Sequence, residues 1–137
     1  MIHLIIEGEP VAKGRPRFSV RGGYVRTFTP EKTKNFEEIV GTIARLKIKK
    51  PFPKETPLRL QVKFYMPISK SLSQKKQDAL QDAWHLKKPD LDNLIKSLCD
   101  SLNCLAWEDD CQVCKIDAWK LYDKKPRTEI WINELME

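Results

Sequence analysis

The sequence has no apolar run that approaches membrane-spanning length, and its first residues alternate like a strand, with no sign of a secretory leader. These absences predict a cytoplasmic protein without a membrane partner, whose thiols stay reduced. Cysteine is scarce, limited to Cys99, Cys104, Cys111 and Cys114. Cys111 and Cys114 make a CxxC, but Cys99 falls in a helical pattern and Cys114 in a strand pattern. Structural zinc sites draw thiol pairs from tight turns, so the spacing favours reduced thiols over a four-thiolate zinc site. Histidine is scarcer still. His3 lies on an early strand and His85 in a polar helical stretch, so no Ser-His-Asp or Cys-His arrangement can be read and a covalent nucleophile is disfavoured. No internal repeat is present, and the 137 residues suit one domain, 1–137, that buries roughly two thirds of its unfolded surface.

Charge is plentiful and unevenly placed. The chain carries 25 Lys plus Arg against 19 Asp plus Glu, a formal +6. Residues 1–88 hold 19 basic and 8 acidic side chains, whereas residues 89–137 hold 6 and 11. A basic half can attract a polyanion while an acidic half gathers metal, although a solvated surface of mixed charge would look the same by count alone.

The periodicities predict an α+β fold with helices packed on a mixed or antiparallel sheet. Ile2–Glu7 and Leu58–Met66 alternate as half-buried strands, the second with Leu58, Leu60, Val62, Phe64 and Met66 on one face. Phe36, Ile39, Val40 and Ile43 mark a helix beginning after Thr29, its expected N-cap, with Pro30 in the first helical position. Residues 70–88 read as a polar helix capped near Ser73, whose last turn would carry Lys87 and Lys88 toward Asp90. Val113–Tyr122 and Thr128–Glu134 read as strands joined in a hairpin through Asp123, Lys124, Lys125 and Pro126. Between Val11 and Arg26, Lys13, Arg15, Arg17 and Arg26 alternate with Phe18, Tyr24 and a Gly22–Gly23 pair. A DNA grip, with cations on phosphates and an aromatic stacked on an unpaired base, and an ordinary Gly-Gly hairpin both account for that composition.

The run KKPDLDNLIKSLCDSLN, followed by WEDD, is the most informative segment. Leu91, Leu94, Ile95, Leu98 and Leu102 recur at helical spacing, while Asp92, Lys96 and Asp100 step by four along another side. Each acid has an ordinary reading taken singly. Asp90 is a good N-cap after Pro89, Asp92 and Lys96 make an i,i+4 pair worth roughly 0.2 to 0.5 kcal/mol, and Asp109 and Asp110 suit a turn. Those readings do not explain why all of them share one short segment. Carboxylates with hard oxygen ligands suit Mg²⁺, which takes one or two of them together with water and phosphate oxygens. Asp90, Asp92 and Asp110 are therefore the candidate metal ligands for phosphodiester chemistry, and Lys87 and Lys88 stand beside them either as phosphate contacts or as local charge balance.

DLDNLIKSLCDSLN with WEDDCQV resembles the signature of the RusA family of Holliday junction resolvases, approximately DxDNxxKxxxDxL, a linker, and an aromatic residue with a DD pair before QV. GEPVAKGRPRF and YVRTFTPEKTKNFEE are similar to the N-terminal half of phage-type members. The resemblance implies a crossover junction endodeoxyribonuclease. Asp90, Asp92 and Asp110 would hold Mg²⁺, with Mn²⁺ as a substitute, and Lys96 would be the required lysine. It also implies branched DNA, four-way junctions above all, as partner, and a homodimer, since paired cuts need two sites and the chain carries one acidic cluster. Asp109, Asn93 and Asp100 are candidates to orient ligands or Lys96. Interface candidates are the Leu91–Leu102 helix, Trp107, and the strands bearing Trp119 and Trp131. The linker Asn103–Ala106 lacks the Gly found in many relatives. A flap nuclease would use the same acids, and a non-catalytic DNA-binding protein would use them only to cap and solvate.

Overall fold

The computed structural model describes residues 1–14, 17–28 and 30–136; of residues 17–19, 21 and 24–28 it describes the backbone alone. Strict alternation makes β4 (Leu58–Pro67) the organising strand: its inward residues Leu58, Leu60, Val62, Phe64 and Met66 are at most 2% exposed. Each such side chain contributes about 1.5 to 3 kcal/mol by leaving water. β4 pairs antiparallel with β6 (Arg127–Glu134) and parallel with β5 (Val113–Asp123), and β1 (Ile2–Glu7) pairs antiparallel with the far side of β6. The order β1-β6-β4-β5 is a mixed sheet. Helices α1 (Glu31–Lys47) and α3 (Leu91–Leu102) cover its inward face, where Val40, Ala44, Leu94, Leu98 and Leu102 meet Leu4, Ile130 and Ile132 in one core.

This order corrects the expected hairpin. β5 and β6 are consecutive in the chain, yet β4 lies between them. Stepping over one strand spans roughly 10 Å, and the four peptide steps from Asp123 to Arg127 reach at most about 14 Å, so the short connection suffices. Asp, Lys and Pro suit any tight reversal, so the loop chemistry carries no information about which strand sits between.

The polar helix is also shorter than its pattern. Ser73 does cap it, accepting a hydrogen bond from the Lys76 amide at 3.3 Å, but α2 (Gln74–Leu80) ends where Asp82 takes φ 65°. The chain then turns onto the free edge of β5. There the Asp82 amide donates to Tyr122 O, the Tyr122 amide to Ala83 O and the His85 amide to Lys120 O, at 2.9 to 3.0 Å. An open sheet edge exposes unpaired amides and carbonyls, and residues 82–85 satisfy the Lys120–Tyr122 part of this one. Lys87 and Lys88 therefore sit in an exposed loop ahead of α3, not on a helix.

α1 begins at Glu31, with Pro30 in the capping position and no side-chain cap, so Pro30 stands one place earlier than expected; Thr29 lies outside the described residues. A separate hairpin of β2 (Arg17–Arg21) and β3 (Tyr24–Phe28) turns at Gly22 and Gly23, with φ 56° and 80°. Positive φ at both central residues is the type I′ turn that matches strand twist, and glycine adopts it without a Cβ penalty. No helix among the described residues is long and apolar enough to cross a membrane.

Candidate active site

Helix α3 is placed by its apolar stripe. Leu94, Leu98 and Leu102 are fully buried, with Ser97 and Ser101 also turned to the core, which leaves Asp92 and Lys96 exposed on the opposite side. Asp90 occupies the N-cap with extended backbone, and its carbonyl accepts from the Leu94 amide at 3.2 Å, but its carboxylate makes no capping hydrogen bond. The ordinary use of a helix-start aspartate is therefore not taken up. Nor is the ordinary use of Asp92: among the described residues neither it nor Lys96 forms an ion pair or side-chain hydrogen bond.

Asp110 is fixed differently. After α3 the chain reverses through Cys104 at φ 68°, and Trp107 plunges into the core with no exposure. Its indole N–H, which must be satisfied there, donates to Asp110 Oδ1 at 2.6 Å, which leaves Oδ2 without a protein partner in that contact. Trp107 is thus core and a support for Asp110, with no surface to offer an interface. Asp109 accepts from the Cys111 amide at 3.1 Å and starts a single 3₁₀ turn, Asp110–Gln112.

Gln112 is a site residue that the sequence reading missed. It is buried, its Oε1 accepts from the Glu108 and Asp109 amides at 3.0 Å, and its Nε2 donates to Pro53 O and Thr56 O at 2.7 and 3.1 Å. All its polar capacity holds the acidic turn against the loop ahead of β4. The signal was present as Asp109-x-x-Gln112, the spacing of a helix-start capping box.

Burial, then the negative charge of Asp110, pushes the Cys99 thiol up to about 12. The carboxylates do not form a finished cage: no three His, Cys, Asp or Glu side chains among the described residues converge on one ion position. The donor chemistry nonetheless fits Mg²⁺, which needs only one or two carboxylates and draws its remaining oxygens from water and a phosphodiester.

Asp90 opens onto a cleft of about 570 Å³ lined by Lys13, Lys88, Pro89 and Asn93. The Lys13 amide donates to Asn93 O at 3.1 Å, while its ammonium meets Glu37 at 2.9 Å and Asp100 at 3.2 Å. The hydrogen bond to Glu37 is the main cause that raises the Lys13 pKa, against partial burial. This revises two expectations. Lys13 pairs with two carboxylates, and Asp100 pairs with Lys13, not Lys96. Arg15 lies outside the described residues, as do the side chains of Arg17, Phe18, Tyr24 and Arg26. The backbones of Arg17 and Arg26 are placed in the hairpin, opposite Phe28 and Ser19.

Against known proteins, the family model described as Endodeoxyribonuclease RusA matches residues 7–133. The chain is similar to the Uncharacterized protein YqaN of Bacillus subtilis (strain 168), 39% identical over 139 residues that cover 98% of this chain and 96% of that one. It is also similar to the Crossover junction endodeoxyribonuclease rusA of Lactococcus phage r1t, 33% identical over 130 residues covering 94% of this chain and 86% of the phage protein.

Proposed function

Because the chain belongs to the RusA family of endodeoxyribonucleases, it is an enzyme that hydrolyses phosphodiester bonds in DNA, and we propose that it resolves four-way junctions by paired, Mg²⁺-dependent cuts. The observation that carries the reading is a helix start at which Asp90, Asp92 and Lys96 have all declined their ordinary local partners, together with an Asp110 locked by Trp107 and the Gln112-clamped turn. Asp90, Asp92 and Asp110 would hold the ion, with Mn²⁺ as a substitute. When bound, Mg²⁺ lowers the pKa of a coordinated water and polarises the scissile phosphate. Lys96, one turn beyond Asp92, directs its unpaired charge at the oxygens that become more negative as the nucleophile attacks. Lys88 lines the cleft on its loop side, with Lys87 the residue before it, and the hairpin that bears Arg17 and Arg26, with Arg15 before it, would meet the phosphates of the arms.

Two cuts on strands related by two-fold symmetry require two such sites, and so we infer a homodimer acting on cytoplasmic DNA. The experiment is a comparison of synthetic four-way junctions, flaps and linear duplex with Mg²⁺ and with excess chelator. Junction cleavage that depends on the ion supports the reading. Preferential flap cleavage would redirect it to a flap nuclease, and cleavage undiminished by chelator would remove the metal.

A further inference from the structure

The loop that delivers Asp90 to α3 is held from beneath by a residue of β5. Backbone pairing along the β5 edge ends with the His85 amide on Lys120 O. Beyond it, the Lys120 ammonium reaches up and donates to Lys87 O at 2.7 Å and to Pro89 O at 2.8 Å, bracketing Lys88 and ending one residue short of Asp90. Lys120 stands opposite Phe64 of β4, so its side chain rises from the helix-covered side of the sheet. An ammonium has three donors and no acceptor, and carbonyls take two of them here. Among the described residues no carboxylate lies within 4 Å of this ammonium, so its charge is not neutralised by an ion pair. That charge reaches the neighbourhood: after burial, Lys120 is the next cause that holds the His85 pKa below its usual value.

We propose that Lys120 is a positioning residue for the metal site, fixing the Lys87–Pro89 loop so that the Asp90 carboxylate and the Lys88 cation face the same cleft. The inference rests on the reading of Asp90 as a metal ligand. Cleft and anchor adjoin at Pro89, which lines the first and accepts from the second. A cation that spends its hydrogen bonds on two carbonyls, when water could satisfy it, fixes a backbone path, and outer-shell partners of metal ligands have a measurable effect on metal affinity.

The test is Mn²⁺ binding by the full chain without DNA, read as the loss of free-ion electron paramagnetic resonance signal, together with the melting temperature and the metal dependence of junction cleavage. Lys120→Met should melt within a few degrees of the wild type yet weaken Mn²⁺ binding, and raise the ion concentration for half-maximal cleavage, by about tenfold. Lys120→Arg, which keeps charge and donors, should recover most of the loss. If Lys120→Met does not fold, Lys120→Gln, which keeps a donor without the charge, should show the same direction of shift. Wild-type Mn²⁺ affinity in the folded Met or Gln variant, with Asp90→Asn defective, would overturn the role of Lys120 alone. Wild-type Mn²⁺ affinity in Asp90→Asn would overturn the assignment of Asp90 and the inference with it.

Discussion

An aspartate at a helix start ordinarily caps the first-turn amides, and Asp90 leaves its carboxylate free while its backbone does the structural work. Replacing Asp90, Asp92 or Asp110 with Asn keeps size and removes a ligand charge, so cleavage should fall below detection while junction binding by gel shift persists. Near wild-type turnover in any two of the three would defeat the assignment. Lys96→Ala should lose roughly 2.7 to 4 kcal/mol of transition-state stabilisation, the scale of an oxyanion-hole donor; an unchanged single-turnover rate would make Lys96 structural. Lys13 behaves otherwise. With Glu37 and Asp100 against it, Lys13→Gln should lower stability by about 1 kcal/mol and leave the salt dependence of DNA binding alone. Arg17→Gln and Arg26→Gln should each reduce the slope of log K against log salt by about 0.9 if they touch duplex phosphates. The acids were legible as candidates because their residue types and spacing are chemical. Gln112 showed only its capping-box spacing to Asp109, and neither its bonds to Pro53 O and Thr56 O nor those of Lys120 to Lys87 O and Pro89 O could be read, because a lone Gln or Lys announces no carbonyl partner far away in sequence.

Elements with strong periodicity were legible, and those decided by their neighbours were not. β1 matches its alternation residue for residue and β4 extends it by one residue, since every second side chain must leave water. α2 broke early because the segment after it gains more by pairing with the β5 edge than by continuing a polar helix that buries nothing. The β5 to β6 connection was misread because pairing partners are a property of the sheet. The linker shows the opposite case, in which an absence in the sequence marked a real feature: Cys104 holds φ 68°, a left-handed conformation that costs an L-residue about 1 to 2 kcal/mol. Cys104→Gly relieves that strain, less the entropy that glycine adds to the unfolded chain, so thermal or urea unfolding should show a net gain of up to about 1 kcal/mol. A loss of stability would show that the thiol, which points at Glu108 O from 3.8 Å, matters more than the backbone.

At the scale of the whole molecule, pH and symmetry make separate demands. His85 is buried against the Tyr122 ring, and burial, with the charges of Lys120 and Lys87, keeps its folded pKa below the ordinary 6.5. The unfolded chain therefore binds this proton first as pH falls. The stability contributed by neutral His85 is complete above about pH 6.5 and is lost below it, as the folded pKa is approached. Urea midpoints should fall between about pH 7.5 and 5.5 more steeply for the wild type than for His85→Gln, and parallel profiles would mean that other groups carry the dependence. Symmetry concerns the reaction itself, because one acidic cluster per chain can cut one strand at a time. Of the interface candidates, the structure buries Trp107, Leu94, Leu98 and Leu102, half-buries Leu91, and leaves Trp119 and Trp131 half-exposed on the side of the sheet away from the helices. The whole account meets in the positions of the nicks on a synthetic four-way junction with all four strands end-labelled, incubated with Mg²⁺ and either the wild type or Asp92→Asn. The account predicts symmetric nicks on two opposing strands with the wild type and an intact junction with the variant. Nicks on one strand alone, or equal cutting by Asp92→Asn, would contradict it.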